Sequence, residues 1–273
     1  MRPTQEDIRK LSGGRLLYFS RIARAIGFAI AFSLPVLSDA AEVKVLTSRA
    51  MNHVLTELGG EFQRATGHKV TLVLAPPNEI TKRVVNGEIV DVVMSGATVT
   101  NLMQQGKIAP GDRVILARVG IGVAVRAGTP KPDIGSPEAL RRTLLAAKSI
   151  VYTDPAVGRA SGIHFEKVID RLGIAKEIKA KSILNAQAAT KPSAEFVARG
   201  EAELGIQLIS EIVSVPGAEF LGPLPGDLQA MTDILAGILR TAPEPDAARA
   251  LLRFLTSPAA AAAIKAAGME PGS

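Results

Sequence analysis

Short apolar runs and amphipathic stretches alternate along the chain from residue 43 onward. Val43 to Thr47 is β-rich, and Met51 to Phe62 places Val54, Leu55, Leu58 and Phe62 at helical spacing. Lys69 to Leu74 is a second strand, Glu79 to Asn86 a second helix, and Asp91 to Met94 a third strand. This succession predicts a parallel sheet covered by helices, because consecutive parallel strands need a crossover. A longer β-rich stretch, Val114 to Arg126, separates this unit from a second one. There Ser136 as N-cap and Pro137 at the first helical position open a helix running to about Lys148. The strand Ser149 to Thr153, the loop Asp154 to Ser161 and the helix Gly162 to Leu172 repeat the α/β logic. A helix near Ala194 to Gly200 and a strand Glu203 to Ile209 follow. After the rigid turn Gly222 to Gly226, an extended segment Leu228 to Arg240 leads to alanine-rich helices from Asp246 onward. The plan is two α/β lobes linked by extended crossings, with the chain returning to the first. One continuous doubly wound sheet is the alternative.

The N-terminal forty residues have a different character. They hold six basic and three acidic residues, and so contribute half of the net charge of +6. The apolar run Ala25 to Leu37 is short for a membrane span, and Ser38 and Ala40 supply small residues at the −3 and −1 positions of a cleavage site. Residues 1–40 therefore read as a signal peptide cleaved near Ala40, with a buried helix or an uncleaved anchor as the alternatives. The expected location is the periplasm, and the mature chain carries too small a basic excess to favour nucleic acid. Aromatic residues make up only 4% of the chain and tryptophan is absent, so stacking surfaces for single strands are scarce.

Cysteine is absent, which removes disulfides, thiolate metal sites and thiol nucleophiles. No metal and no cofactor are expected. Gly120-x-Gly122 lacks the third glycine of a dinucleotide loop, and neither a phosphate loop nor a nucleophile elbow is present. His164 with Asp154 makes a poor acid–base pair on this pattern, so no catalytic residue is assigned. Four strand-to-helix loops remain: Ser48 to Ala50, Ala75 to Asn78, Gly158 to Gly162, and the loop holding Thr190 and Ser193. Each offers free backbone N–H groups and the positive end of a helix dipole, the physical provision for an anion. Arg49 and Arg159 lie in two of these loops, one per lobe. They would clamp an anion if both face a cleft, and would be solvated loop-tip residues otherwise.

Several phrases resemble the periplasmic molybdate-binding proteins of ABC importers: Val43 to Leu55, Phe62 to Val70, Gly87 to Val93, Ser149 to Gly162, Ala202 to Glu211, and the ending Leu251 to Pro271. The resemblance covers essentially the whole mature chain in order. It implies the type II periplasmic-binding-protein fold, two α/β lobes joined by two crossing strands with a ligand cleft between them. The lobe boundaries expected are 41–124 for the first, 125–225 for the second, and 226–273 for the return. It also implies a small anionic ligand held by neutral donors from both lobes, delivered by a monomer to the membrane subunits of an importer. The family's first-loop serine falls on Ala50, with Ser48 nearby. Its serine-rich second loop falls on Pro76, Pro77 and Asn78, where the prolines remove N–H donors, and its binding tyrosine falls on Leu208. Ser161 and Gly162 are retained, and Arg49, Asn78 and Gln207 are the candidate replacement contacts. Molybdate or tungstate is the ligand that the resemblance implies by default, and a different or larger organic anion, which these replacements would favour, is the alternative. A sensor on the same fold and, further off, a periplasmic hydrolase are the competing classes. The signal reading predicts that periplasmic protein begins near Ala41. Mass spectrometry finding residues 1–30 still attached would overturn it.

Overall fold

The computed structural model describes residues 40–272, so the apolar run Ala25 to Leu37, expected to be the core of a signal peptide, lies outside the described residues. Among the described residues eleven strands form two separate sheets, which excludes one continuous sheet. The first, in the order β11-β4-β10-β3-β1-β2, comprises β1 (Glu42–Thr47), β2 (Lys69–Leu74), β3 (Val92–Met94), β4 (Ile108–Val119), β10 (Thr232–Leu239) and β11 (Glu270–Pro271). The second, in the order β7-β6-β8-β5-β9, comprises β5 (Ile121–Arg126), β6 (Ile150–Thr153), β7 (Ser182–Asn185), β8 (Leu204–Leu208) and β9 (Ala218–Pro223). β1 runs parallel to β2 and β3, and β6 parallel to β7 and β8, while β10 and β5 are antiparallel to their neighbours.

Both sheets are covered on both faces, which is why their parallel strands read as continuous apolar runs. In β1, Val43 and Val45 join one core while Leu46 joins the other; in β3, Val92 and Met94 divide from Val93 in the same way. The covering helices are amphipathic. In α1 (Asn52–Thr66) the buried residues are Val54, Leu55, Leu58 and Phe62, the set the spacing predicts. In the first lobe α2 (Pro77–Val85) and α3 (Gly96–Gln104) follow β2 and β3. In the second, α4 (Pro137–Ala146) is capped by the Ser136 hydroxyl, which accepts from Ala139 N–H at 3.1 Å. α5 (Ala160–Arg171), α6 (Ala175–Lys179), α7 (Ser193–Ala198) and α8 (Ile209–Val213) complete that lobe, and α9 (Pro245–Leu255) and α10 (Pro258–Ala266) return to the first. None of the described helices is long and apolar enough to cross a membrane.

The chain passes between lobes twice. The first passage is Gly120, a single residue between β4 and β5; the second is the segment from Leu224 to Met231, between β9 and β10. Gln229 joins the two. Its Oε1 accepts the Ile121 N–H and its Nε2 donates to the Ile121 carbonyl, both at 2.9 Å, across 108 positions of sequence. Gly120 leaves room for that amide, since a Cβ there would lie 2.9 Å from Gln229 Nε2 and 3.3 Å from Met231 Sδ.

Ile121 is 1% exposed, so truncating Gln229 strands a buried backbone donor. Gln229→Ala is expected to lower unfolding free energy by about 1–3 kcal/mol, read from urea denaturation. Full stability in that variant would mean the amide contributes nothing to the crossing.

Candidate functional site

The carboxyl ends of β1, β3 and β6 point toward one region between the lobes, and the segments that follow them build its walls. After β1 come Ser48 and a 3-10 turn, Arg49–Met51; after β3 comes Ser95, the N-cap of α3; after β6 comes a loop ending in Arg159, the N-cap of α5. The first N–H groups of a helix have no intrahelical acceptor, so α3 and α5 each present free donors and the positive end of a dipole. Between them lies a cavity of about 240 Å³. Its first-lobe wall is Ser48, Ala50, Pro77, Ser95, Gly96 and Ala97; its second-lobe wall is Gly158, Arg159, Ala160, Ser161, Ile163 and Leu208, and Thr232 and Ile234 of β10 complete the lining. No aspartate or glutamate lines it.

Two glycines let these helix starts reach the strands. A Cβ on Gly96 would lie 2.4 Å from the Asp233 carbonyl oxygen, and one on Gly162 would lie 2.1 Å from that of Thr153. Neither contact is tolerable against backbone.

The side chains facing this region carry more donors than partners. Arg159, 4% exposed, gives its Nη2 to the Glu211 carboxylate, while its Nη1 is buried without a partner. The Ser161 hydroxyl, in a residue 1% exposed, is also unpartnered. Both are donors with no acceptor in reach.

The expected site residues divide into two groups. Ser48, Ala50, Arg159 and Ser161 come together on the cavity, and so do Pro77 and Leu208, where the family resemblance aligned ligand-binding positions. Gly162 lies one residue behind Ser161, pressed on Thr153. Arg49 is half-buried and spans the lobes, donating from Nη1 to the Thr190 carbonyl at 3.1 Å. Asn78 is exposed, with its Oδ1 accepting from the Glu79 N–H at 2.9 Å. Gln207 is buried in β8; its Oε1 accepts from Ala194 N–H at 3.2 Å and its Nε2 has no partner. His164 bonds the Leu228 carbonyl at 2.8 Å, a structural contact across the second crossing.

Ser95, Gly96 and Ala97 went unread in the sequence, along with the whole of α3. Its signal was present: a serine after an apolar strand, then Val99 and Leu102 on one helical face. Glu211 had no comparable signal, since a lone glutamate after a strand is an ordinary surface pattern. A larger groove, about 630 Å³, is lined by Arg126, Lys131 and Lys148 at the amino ends of β6 and β8. It lies away from the helix N-termini that give the smaller cavity its chemistry. Among the described residues no group of three histidine, aspartate or glutamate side chains is placed to hold a metal ion.

Two α/β lobes joined by two crossings, with helix N-termini from both facing one cavity, define the type II periplasmic-binding-protein fold. The chain belongs to the family of bacterial extracellular solute-binding proteins, whose sequence profile matches residues 43–270. Among its relatives is a Pseudomonas protein named aconitate isomerase, 35% identical over 90% of this chain and 95% of that protein. The molybdate-binding protein ModA of Azotobacter vinelandii is 27% identical over 91% of this chain and 96% of its own length. The solved structure of the periplasmic molybdate-binding protein from that organism superposes with a TM-score of 0.71 at 23% identity, over 85% of this chain and 100% of that one.

The unpartnered Ser161 hydroxyl carries a prediction about the ligand-free protein. Removing a buried polar group that has no partner relieves its desolvation cost, so Ser161→Ala is expected to be as stable as the parent or more so, by up to about 1–3 kcal/mol. Loss of stability in urea denaturation would show that the hydroxyl is already satisfied.

Proposed function

We propose that this protein is a periplasmic solute-binding protein that holds a small organic carboxylate anion between its lobes and delivers it to the membrane subunits of an ABC importer. The observation that carries this reading is Arg159, a buried guanidinium on the cavity wall with one nitrogen free. A planar fork suits a carboxylate. The hydroxyl-bearing positions of the molybdate-binding resemblance are here Ala50, Pro77 and Leu208, which line the cavity with apolar surface. Size argues the same way. At about 30 Å³ per water, 240 Å³ holds about eight water-sized groups, roughly twice the four oxygens of a tetrahedral oxyanion, so the cavity has room for a larger anion. Arg49, bonded across to Thr190, would favour the closed arrangement of the lobes, and ligand contacts made from both walls would shift the population toward it.

A second reading is favoured by the 35% identity to the protein named aconitate isomerase: isomerisation of an unsaturated tricarboxylate in the same cavity. Moving a double bond requires a base that removes a proton and returns it elsewhere. No aspartate, glutamate, histidine, lysine or tyrosine lines the cavity, and the nearest carboxylate by contact is Glu211, behind Arg159. Tyr152, further back in β6, is held neutral, its phenol pushed up to about 12 by burial and then by Glu166. Binding without turnover is therefore the leading reading.

Calorimetric titration with trans-aconitate, citrate, molybdate, tungstate and sulfate tests the proposal. A carboxylate is expected to bind, and Ser161→Ala to weaken it by roughly 10- to 100-fold, the scale of a hydrogen bond to a charged group. Binding of molybdate or tungstate alone would overturn the organic-anion reading. Proton NMR of cis-aconitate incubated with the protein decides between binding and isomerisation: appearance of the trans isomer, lost in Glu211→Gln, would make the protein an enzyme.

A further inference from the structure

The Arg159–Glu211 pair is more buried than any other ion pair among the described residues, with side chains 5% and 1% exposed. Among the buried polar atoms left without a partner are Arg159 Nη1 and the hydroxyls of Ser161, two residues after Arg159, and Ser210, next to Glu211. The carboxylate of Glu211 faces one nitrogen of the guanidinium, Nη2, while Nη1 has no partner, and Arg159 itself lines the cavity. α8, which carries Glu211, follows β8 directly, and Leu208, the last residue of that strand, lines the cavity.

We infer that Glu211 is a specificity-determining residue: it is the resident counter-ion of Arg159 and sets how much positive charge the cavity offers to a ligand. With Glu211 in place, the pair is neutral and a ligand is held by the geometry of the remaining donors rather than by net charge. A buried cation without a counter-ion is costly, so removal of the carboxylate charge leaves a deficit that an incoming anion can fill. The ligand and Glu211 therefore compete for one guanidinium. The inference rests on the reading that anions bind beside Arg159, and it assigns to that site a control on ligand charge that the cavity lining does not reveal.

Glu211→Gln keeps the shape and the acceptor oxygen facing Nη2 while removing the charge. Calorimetry would compare the parent, Glu211→Gln and the double variant Glu211→Gln with Arg159→Met, using sulfate and trans-aconitate as probes. The expected result is at least tenfold tighter binding of one or both probes by Glu211→Gln, a gain lost in the double variant, together with a lower melting temperature without ligand. A residue that only holds α8 in place would lower the melting temperature and leave affinity unchanged or weaker, and that outcome overturns the inference while the parent's binding keeps the organic-anion reading intact. A parent silent toward both probes with a Glu211→Gln variant that binds supports the inference and counts against that reading. Silence of both proteins overturns the two together. If Glu211→Gln does not fold alone, refolding it across a range of sulfate and trans-aconitate concentrations gives the answer. Recovery of folded protein by either anion supports the counter-ion role, and no recovery overturns it.

Discussion

The two lobes meet through Gly120 and through the segment from Leu224 to Met231, and Gln229 makes these two crossings a single joint. Its amide copies the pairing of a strand neighbour, giving one acceptor and one donor to Ile121 at 2.9 Å each. A crossing strand cannot extend a sheet on both sides of a lobe boundary without leaving backbone groups unmatched, and a side-chain amide is what meets that need here. The position of each wall of the cavity follows from this joint, because the strands whose ends carry the walls are anchored on either side of it. His164 and Arg171 of α5 add contacts to Leu228 and Asp227, so the second lobe's wall helix is fastened to the same segment.

In the proposed reading, an anion would be held in the cavity mainly by oriented dipoles and unpartnered donors. Helix N-termini from the two lobes provide partial charges fixed by the backbone, which move only when a lobe moves. The one formal cation on the wall, Arg159, is balanced from behind by Glu211. A site built this way would recognise the direction of hydrogen bonds more than the quantity of charge, and would tie recognition to closure, since the helix N-termini come from both walls.

The two-lobe architecture was legible because parallel strands buried on both faces write themselves as apolar runs, as in Val43 to Thr47 and Ser149 to Thr153. The Ser136 cap and the apolar face of α1 were equally plain, being local. The run Val114 to Arg126 concealed a lobe boundary, since nothing in its hydropathy marks Gly120 as the point where one sheet ends; that assignment depends on Gln229, more than a hundred residues away. At the site, the loops were legible but the facing of individual residues was not. Leu208 lines the cavity and Gln207, one residue earlier, does not, because successive side chains of a strand point to opposite faces. Pro77 and Asn78 part in the same manner within the first turn of α2. Glu211 was invisible for a different reason: a buried ion pair between residues 159 and 211 is a tertiary fact that no local pattern encodes.

Gly96 and Gly162 face backbone carbonyls so closely that no side chain fits, whereas Ala50, Pro77 and Leu208 project apolar side chains onto the cavity. The cavity lining is thus divided between positions fixed by the scaffold and positions whose side chains can change without disturbing it. Substitution at Ala50, Pro77 or Leu208 would reshape the cavity without moving the helix starts that Gly96 and Gly162 hold against backbone.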